Sequence, residues 1–118
     1  MALLAKEGAQ GLILMPSPLF SFDRRHIVKL ALARRWPVVA GRREFAEEGV
    51  LLSYGIDTFD QFRRAASYVD KILKGAKPGD LPVEQPTTLE FVINMKTAKA
   101  IGIKFSNSIL VQATKVIK

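Results

Sequence analysis

The sequence predicts an α/β domain: a small, mainly parallel sheet flanked by helices. Three observations carry that prediction. Short apolar runs at residues 11–15, 37–40 and 50–54 are each bounded by glycine or proline, and helical patterns fall between them. A long amphipathic stretch at residues 58–74 has sharp start and stop signals. Nothing repeats and no segment is of low complexity, so 118 residues read as one domain, 1–118, able to bury about 65% of its unfolded surface.

Taken in order, residues 1–7 read as the tail of a helix ended by Gly8. Residues 11–15 fit a buried parallel strand, being apolar throughout and closed by Pro16. Pro16-Ser17-Pro18 forces an extended loop. Ser21 is placed to N-cap a helix over 22–35, where Ile27, Leu30, Ala31 and Arg34 follow helical spacing and Val28 and Leu32 widen the apolar face. A strand at 37–40 follows, then a helical turn over 42–48 ended by Gly49, then a third strand at 50–54 closed by Gly55.

The best-defined helix spans 58–74. Thr58 and Gln61 have capping-box spacing, and Asp57 adds negative charge at the N-terminus. Phe59, Phe62, Ala66, Val69 and Leu73 form one stripe, while Asp60/Arg64 and Asp70/Lys74 make four-apart pairs elsewhere on the surface. Gly75 stands at the left-handed C′ position, and Lys77-Pro78-Gly79-Asp80 has the residues of a type II turn. Leu89, Phe91, Ile93 and Met95 alternate with more polar neighbours, the period of a half-buried strand. A short helix over 96–101 stops at Gly102. Ser106 or Asn107 caps a last helix whose apolar residues are Ile109, Leu110, Ala113, Val116 and Ile117.

Composition narrows the chemistry. Hydrophobic residues make up 48% and charged residues 25%, ordinary for a folded domain. With no cysteine there is no disulfide, thiolate nucleophile or thiolate metal site. The net charge of +7 includes arginine pairs at 24/25, 34/35, 42/43 and 63/64. Such a surface attracts polyanions without sequence preference, and no nucleic-acid motif accompanies it, so no specific nucleic-acid partner is expected. The start of the chain lacks the basic segment and small-residue cleavage site of a signal peptide.

Catalytic constellations are missing: no phosphate-binding glycine loop, no nucleophile elbow, and one histidine, His26, whose nearest carboxylate in sequence is Asp23. No enzyme, cofactor or metal site is therefore expected. The loops after the strands are more informative, because open parallel sheets bind ligands beyond the carboxyl ends of their strands. Ser17 follows the first strand, Arg43 the second, and Ser53, Tyr54 and Asp57 close or follow the third. Serine hydroxyls donate and accept, Arg43 can hold a carboxylate, and Tyr54 offers a ring and a hydroxyl. The competing reading is that these residues serve as turn chemistry and core edge.

Several segments together resemble the C-terminal part of ABC transporter substrate-binding proteins. They are Gly11-Leu12-Ile13-Leu14-Met15-Pro16-Ser17-Pro18-Leu19-Phe20, Trp36-Pro37-Val38-Val39, Arg43-Glu44-Phe45 and Ser53-Tyr54-Gly55. Farther on come Gly75-Ala76-Lys77-Pro78-Gly79-Asp80-Leu81-Pro82-Val83-Glu84-Gln85-Pro86 and Asn94-Met95-Lys96-Thr97-Ala98-Lys99-Ala100-Ile101-Gly102. The resemblance implies a partial lobe of type I periplasmic-binding-protein architecture, truncated relative to a two-lobed protein. It implies a small solute bound without catalysis and weakly for want of the other lobe; the hydroxyls, the one cation and the one aromatic face of the candidate residues suit an amino acid or small aromatic acid. Ser17, Arg43, Ser53, Tyr54 and Asp57 would face the cleft, although position 17 often carries an acidic residue in the family. Relatives are periplasmic or extracellular and dock on an ABC permease. By the same resemblance the helix bearing Phe59, Phe62 and Leu73 packs on the other lobe. Standing alone, the chain is expected to associate with itself through that face, as a homodimer or interaction module.

Overall fold

One five-stranded sheet organises the structure, in the order β1-β2-β3-β4-β5. The computed structural model describes residues 1–118. Helix α1 (Ala2–Lys6) leads into β1 (Leu12–Leu14), followed by α2 (Pro18–Phe22), α3 (Arg24–Ala33), β2 (Val38–Ala40), α4 (Arg43–Glu48) and β3 (Leu52–Ile56). The chain continues through α5 (Thr58–Leu73), a single 3₁₀ turn (Pro78–Asp80), β4 (Leu89–Asn94), α6 (Met95–Ile101), α7 (Asn107–Gln112) and β5 (Lys115–Ile117). Strands β1 and β2, β2 and β3, and β4 and β5 pair in parallel. This is the α/β class with the mainly parallel, helix-flanked sheet that the residue pattern predicts. The chain divides into two units, Met1–Gly55 with Glu90–Lys118, and Ile56–Leu89.

In the first unit the core lies where α3 and α4 meet one face of the sheet. Val28 and Ala31 of α3, Phe45 and Ala46 of α4, Leu14, Val38 and Ala40 of the strands, and Trp36, Val50 and Val92 form one buried cluster. Each buried valine, leucine or phenylalanine there stabilises the fold by about 1.5–3 kcal/mol. The opposite sheet face is less covered. Residue 11–15 is thus not the fully buried strand expected: β1 is an edge strand, and Ile13 on its second face is 76% exposed.

Other local expectations are corrected. The 22–35 helix is two helices. Pro18, whose fixed φ and missing N–H suit a first helical position, starts α2 early with Ser17 at its N-cap position. The chain then turns at Asp23 before α3 begins. Ser21 does not cap; its hydroxyl donates back to the Ser17 carbonyl at 3.1 Å. Strand β4 is not half-buried: Val92, Ile93 and Asn94 are all buried, because β4 lies inside the sheet between β3 and β5. Ala113, Val116 and Ile117 do not continue the last helix. After α7 the Thr114 amide donates to the Phe91 carbonyl at 2.7 Å, and residues 115–117 add the fifth strand.

Asn94 joins several of these elements. Its side-chain oxygen accepts from the Thr97 amide at 3.1 Å and so caps α6, while its amide nitrogen donates to the Ala46 carbonyl at 2.9 Å. Gly102, at φ 82°, ends α6 in the left-handed conformation, as its place in the sequence requires.

The second unit is α5 with the segment that returns from it. The cap of α5 is Asp57 rather than Thr58: Asp57 Oδ1 accepts from the Phe59 amide at 2.9 Å and the Asp60 amide at 3.1 Å. A carboxylate satisfies two of the orphan donors and also meets the positive end of the helix dipole. Gly75, at φ 106°, stands just past the C-cap as expected. The predicted type II turn is instead the 3₁₀ turn: Gly79 is not at positive φ, and the Asp80 amide reaches the Lys77 carbonyl at 3.0 Å. No residue of α5 is buried, and Phe62 and Leu73 on its stripe are 71% and 81% exposed.

Candidate functional site

The carboxyl ends of β1, β2 and β3 stand level, since Leu14 pairs with Ala40 and Ala40 with Ser53. Glycines allow the chain just beyond them to close up. A Cβ placed on Gly41 would meet the Pro16 ring at 3.3 Å, and one on Gly55 would lie 2.0 Å from the Gly41 carbonyl oxygen. Gly55 therefore does not end the third strand, as its sequence position suggests. It continues within β3 because only a residue without a side chain fits beside Gly41.

This arrangement carries Ser17, Arg43 and Tyr54 to one end of the sheet. Ser17 is half-buried, and its hydroxyl makes no capping bond to α2. Tyr54 is 56% exposed, its ring 5.9 Å from that of Phe91 at 78°, an edge-to-face contact that steadies it. Arg43 begins α4. Its Nη1 donates to Glu90 Oε1 at 2.9 Å, with the two side chains only 30% and 15% exposed, and its Nε lies 3.5 Å from Glu47 Oε1. Lys115 reaches the same Glu47 oxygen at 3.2 Å. The result is an alternating row of charge, Glu90–Arg43–Glu47–Lys115, in which the Arg43 cation is already balanced.

Two candidates are placed differently. Ser53 is 1% exposed and shares the core-facing side of the sheet with Ala40, so its hydroxyl is enclosed and has no hydrogen-bond partner. Asp57 belongs to the second unit, where its carboxylate caps α5. Sequence reasoning missed Glu90 and Phe91. They are consecutive on β4, one paired with Arg43 and the other with Tyr54, at separations in sequence that only the sheet brings together. The strand alternation around 89–95 was the one signal pointing to them.

A shallow cavity of about 170 Å³ lies beside these loops, lined by Ser21, Arg24, Arg42, Glu44 and Phe45. In the second unit, a more open one of about 500 Å³ runs between α5 and the returning segment, lined among others by Gln61, Arg64, Tyr68, Ile72, Leu81 and Pro86. The Tyr68 hydroxyl donates to the Pro82 carbonyl there, and desolvation followed by the charge of Glu84 pushes its pKa above the usual tyrosine value. No group of three His, Cys, Asp or Glu side chains is placed to hold a metal ion, and no helix is long and apolar enough to cross a membrane.

The model of a family described as ABC transporter substrate binding protein matches residues 3–117. Among solved structures, the chain is similar to a conserved domain protein from Vibrio cholerae O1 biovar El Tor, at 25% identity and TM-score 0.87 over 97% of this chain and 38% of that one. It is similar also to an ABC domain from Streptococcus pneumonia in complex with L-Trp, at 27% identity and TM-score 0.88 over 97% of this chain and 39% of that one. A ligand-free, open substrate-binding protein with adhesive properties from Clostridium difficile shares the fold, at 20% identity and TM-score 0.66 over 100% of this chain and 41% of that one. The chain thus spans about two fifths of the length of these solved chains. No functionally curated protein aligns with it.

Proposed function

Since the chain belongs to the ABC transporter substrate-binding protein family, we propose that it forms one wall of a non-catalytic solute site at the carboxyl ends of β1, β2 and β3. The observation that carries this reading is the exposed Tyr54 ring, fixed edge-on by Phe91, one residue along β4 from the Arg43–Glu90 ion pair. Successive strand residues face opposite sides of a sheet, so the Tyr54–Phe91 rings and the Arg43–Glu90 pair flank the same sheet end from its two faces, and the exposed ring suits an aromatic amino acid. In this reading the solute's ring stacks on Tyr54 and its charged groups reach past the strand ends toward Arg43 and Glu90. The L-Trp held by the Streptococcus relative has that chemistry. A small aromatic acid is the second choice, because without an ammonium it would crowd Arg43 with a further carboxylate. Ser17 adds a hydroxyl at the rim. Ser53 contributes from behind by filling the core-facing side of the sheet.

In two-lobed binding proteins, solute is held by closure of one lobe on the other. One wall covers far less than the 70–90% of a ligand's surface buried in a complete site, so this chain should bind in the millimolar range. Within a full-length relative the same wall would serve import through an ABC permease. Titration calorimetry with L-Trp, L-Phe, L-Tyr and small aromatic acids is the test. Weak binding that Tyr54→Ala reduces at least about fivefold supports the reading. Micromolar binding indifferent to Tyr54→Ala, or no binding of any compound, would sink it.

A further inference from the structure

We infer that Asn94 is a positioning residue of the solute site: it holds α4 on β4 and so presents Arg43 to Glu90 and to the solute's charged groups. This deepens the preceding reading and rests on it for the solute. Helix α4 has little of its own to fix it. It is six residues long, and no side chain caps its N-terminus at Arg42. A helix that short does not persist on its own bonds, so its place is set by what it packs on. Burial of Phe45 and Ala46 fixes its depth. Apolar contact is non-directional, however, and leaves rotation and slide along the sheet to other groups.

Two directional ties from β4 supply these. Residues of a strand alternate between its faces, so Glu90, Val92 and Asn94 share the core-facing side. Glu90 Oε1 accepts from Arg43 Nη1 at 2.9 Å, at the first residue of α4. One turn later Asn94 Nδ2 donates to the Ala46 carbonyl, also at 2.9 Å. Ala46 is wholly buried and Asn94 is 5% exposed, which shields that bond from bulk water. The carbonyl it satisfies lies in the last turn of α4, where helical partners run short. Asn94 is held at its other end too, since Oδ1 accepts from the Thr97 amide at 3.1 Å. The ion pairs of Glu47 and Glu48 with Lys115, Arg24 and Arg25 lie nearer the surface and hold less firmly. Arg43 stands three residues before Ala46, hence on the same side of the helix. A rotation or slide of α4 that broke the Asn94 bond would carry the Arg43 guanidinium away from Glu90. Thr97 provides a contrast: its hydroxyl donates to the Gly49 carbonyl at 2.8 Å, at the end of α4 away from Arg43.

The test uses substitutions that keep the cap of α6. In Asn94→Ser the hydroxyl still accepts from the Thr97 amide but falls short of Ala46. Asn94→Asp, at about pH 8 so that the carboxylate is ionised, keeps the acceptor and removes the donor, and it serves if the serine variant folds poorly. Thr97→Val controls for lost stability. NMR relaxation of the Arg43 side-chain Nε–H reads its order without any solute. Titration with L-Trp, and with indole, which has the ring and no charged group, reads the site. The Asn94 variants should loosen Arg43 and weaken L-Trp binding about threefold to tenfold, the cost of ordering one freed side chain on binding, with indole unchanged. Thr97→Val should lower the urea midpoint and leave Arg43 and both ligands as in wild type. An Arg43 as ordered in the Asn94 variants as in wild type, or equally loosened by Thr97→Val, would overturn the inference. Equal losses of L-Trp and indole binding would also overturn it, because they mark general damage. If wild type binds neither compound, the solute reading alone fails, and Arg43 relaxation still decides whether Asn94 positions it.

Discussion

Replacing Gly55 by alanine isolates the contact on which the strand ends depend. The backbone of Gly55 is not in the left-handed region, so the substitution introduces no torsional strain and its effect is steric. The new Cβ would lie 2.0 Å from the carbonyl oxygen and 2.9 Å from the carbonyl carbon of Gly41, against an unstrained separation of about 3.5 Å. Both obstructing atoms are backbone, so no side chain can rotate away; the chain after β2 must shift by more than about 1 Å. Overpacking costs about 1–3 kcal/mol, and a clash with backbone belongs at the upper end, about 3 kcal/mol. That is a large part of the roughly 5–15 kcal/mol that holds a domain together. Urea unfolding followed by circular dichroism measures it as a lower midpoint at unchanged slope. Gly79→Ala, where no atom lies within 4 Å of the added carbon, is the control and should be neutral or slightly stabilising. A Gly55→Ala variant within about 1 kcal/mol of wild type would refute the steric argument.

Asn94→Ala leaves the Thr97 amide and the Ala46 carbonyl without their partner and opens a small cavity. It should cost about 2–4 kcal/mol by urea unfolding, and a loss under about 1 kcal/mol would show that water replaces the amide. Asp57→Ala removes the cap of α5 and should cost about 1 kcal/mol, with hydrogen exchange accelerating at the Phe59 and Asp60 amides before the rest of the helix; uniform acceleration along α5 would contradict that assignment.

How much of this could be read in the sequence depends on how local each cause is. Helix α5 was legible because its stripe, its acidic start and Gly75 all lie within the element. Even so, the choice of Asp57 over Thr58 as cap turns on which side chain reaches two amides at once. The three strands before residue 57 were legible from apolar runs set between glycines and prolines. Strand β5 was not: Val116 and Ile117 also satisfy helical spacing from Ile109, and what makes them a strand is pairing with β4, more than twenty residues earlier. The break at Asp23 was hidden because Pro18 begins a helix where a loop was expected. The placement of Ser17, Arg43 and Tyr54 beyond or at the strand ends followed from the rule about open parallel sheets. The Arg43–Glu90 pair and the Tyr54–Phe91 contact did not, since both span the segment that leaves the sheet after β3 and returns at β4. The enclosure of Ser53 was invisible for a related reason: register with Ala40 decides which way it points.

That departure and return has a further consequence. The Asp57 amide donates to the Thr88 carbonyl at 3.1 Å, so the two ends of the Ile56–Leu89 segment are stitched together where they begin and finish. In covalent order the segment interrupts the sheet; in space it is a parenthesis, opened and closed at one point. The entropy of closing such a loop grows only with the logarithm of its length, about 0.6 kcal/mol for each doubling. Insertions and deletions inside it are thereby nearly invisible to β3 and β4, and the enclosed segment can change its content while the strands on either side keep their register.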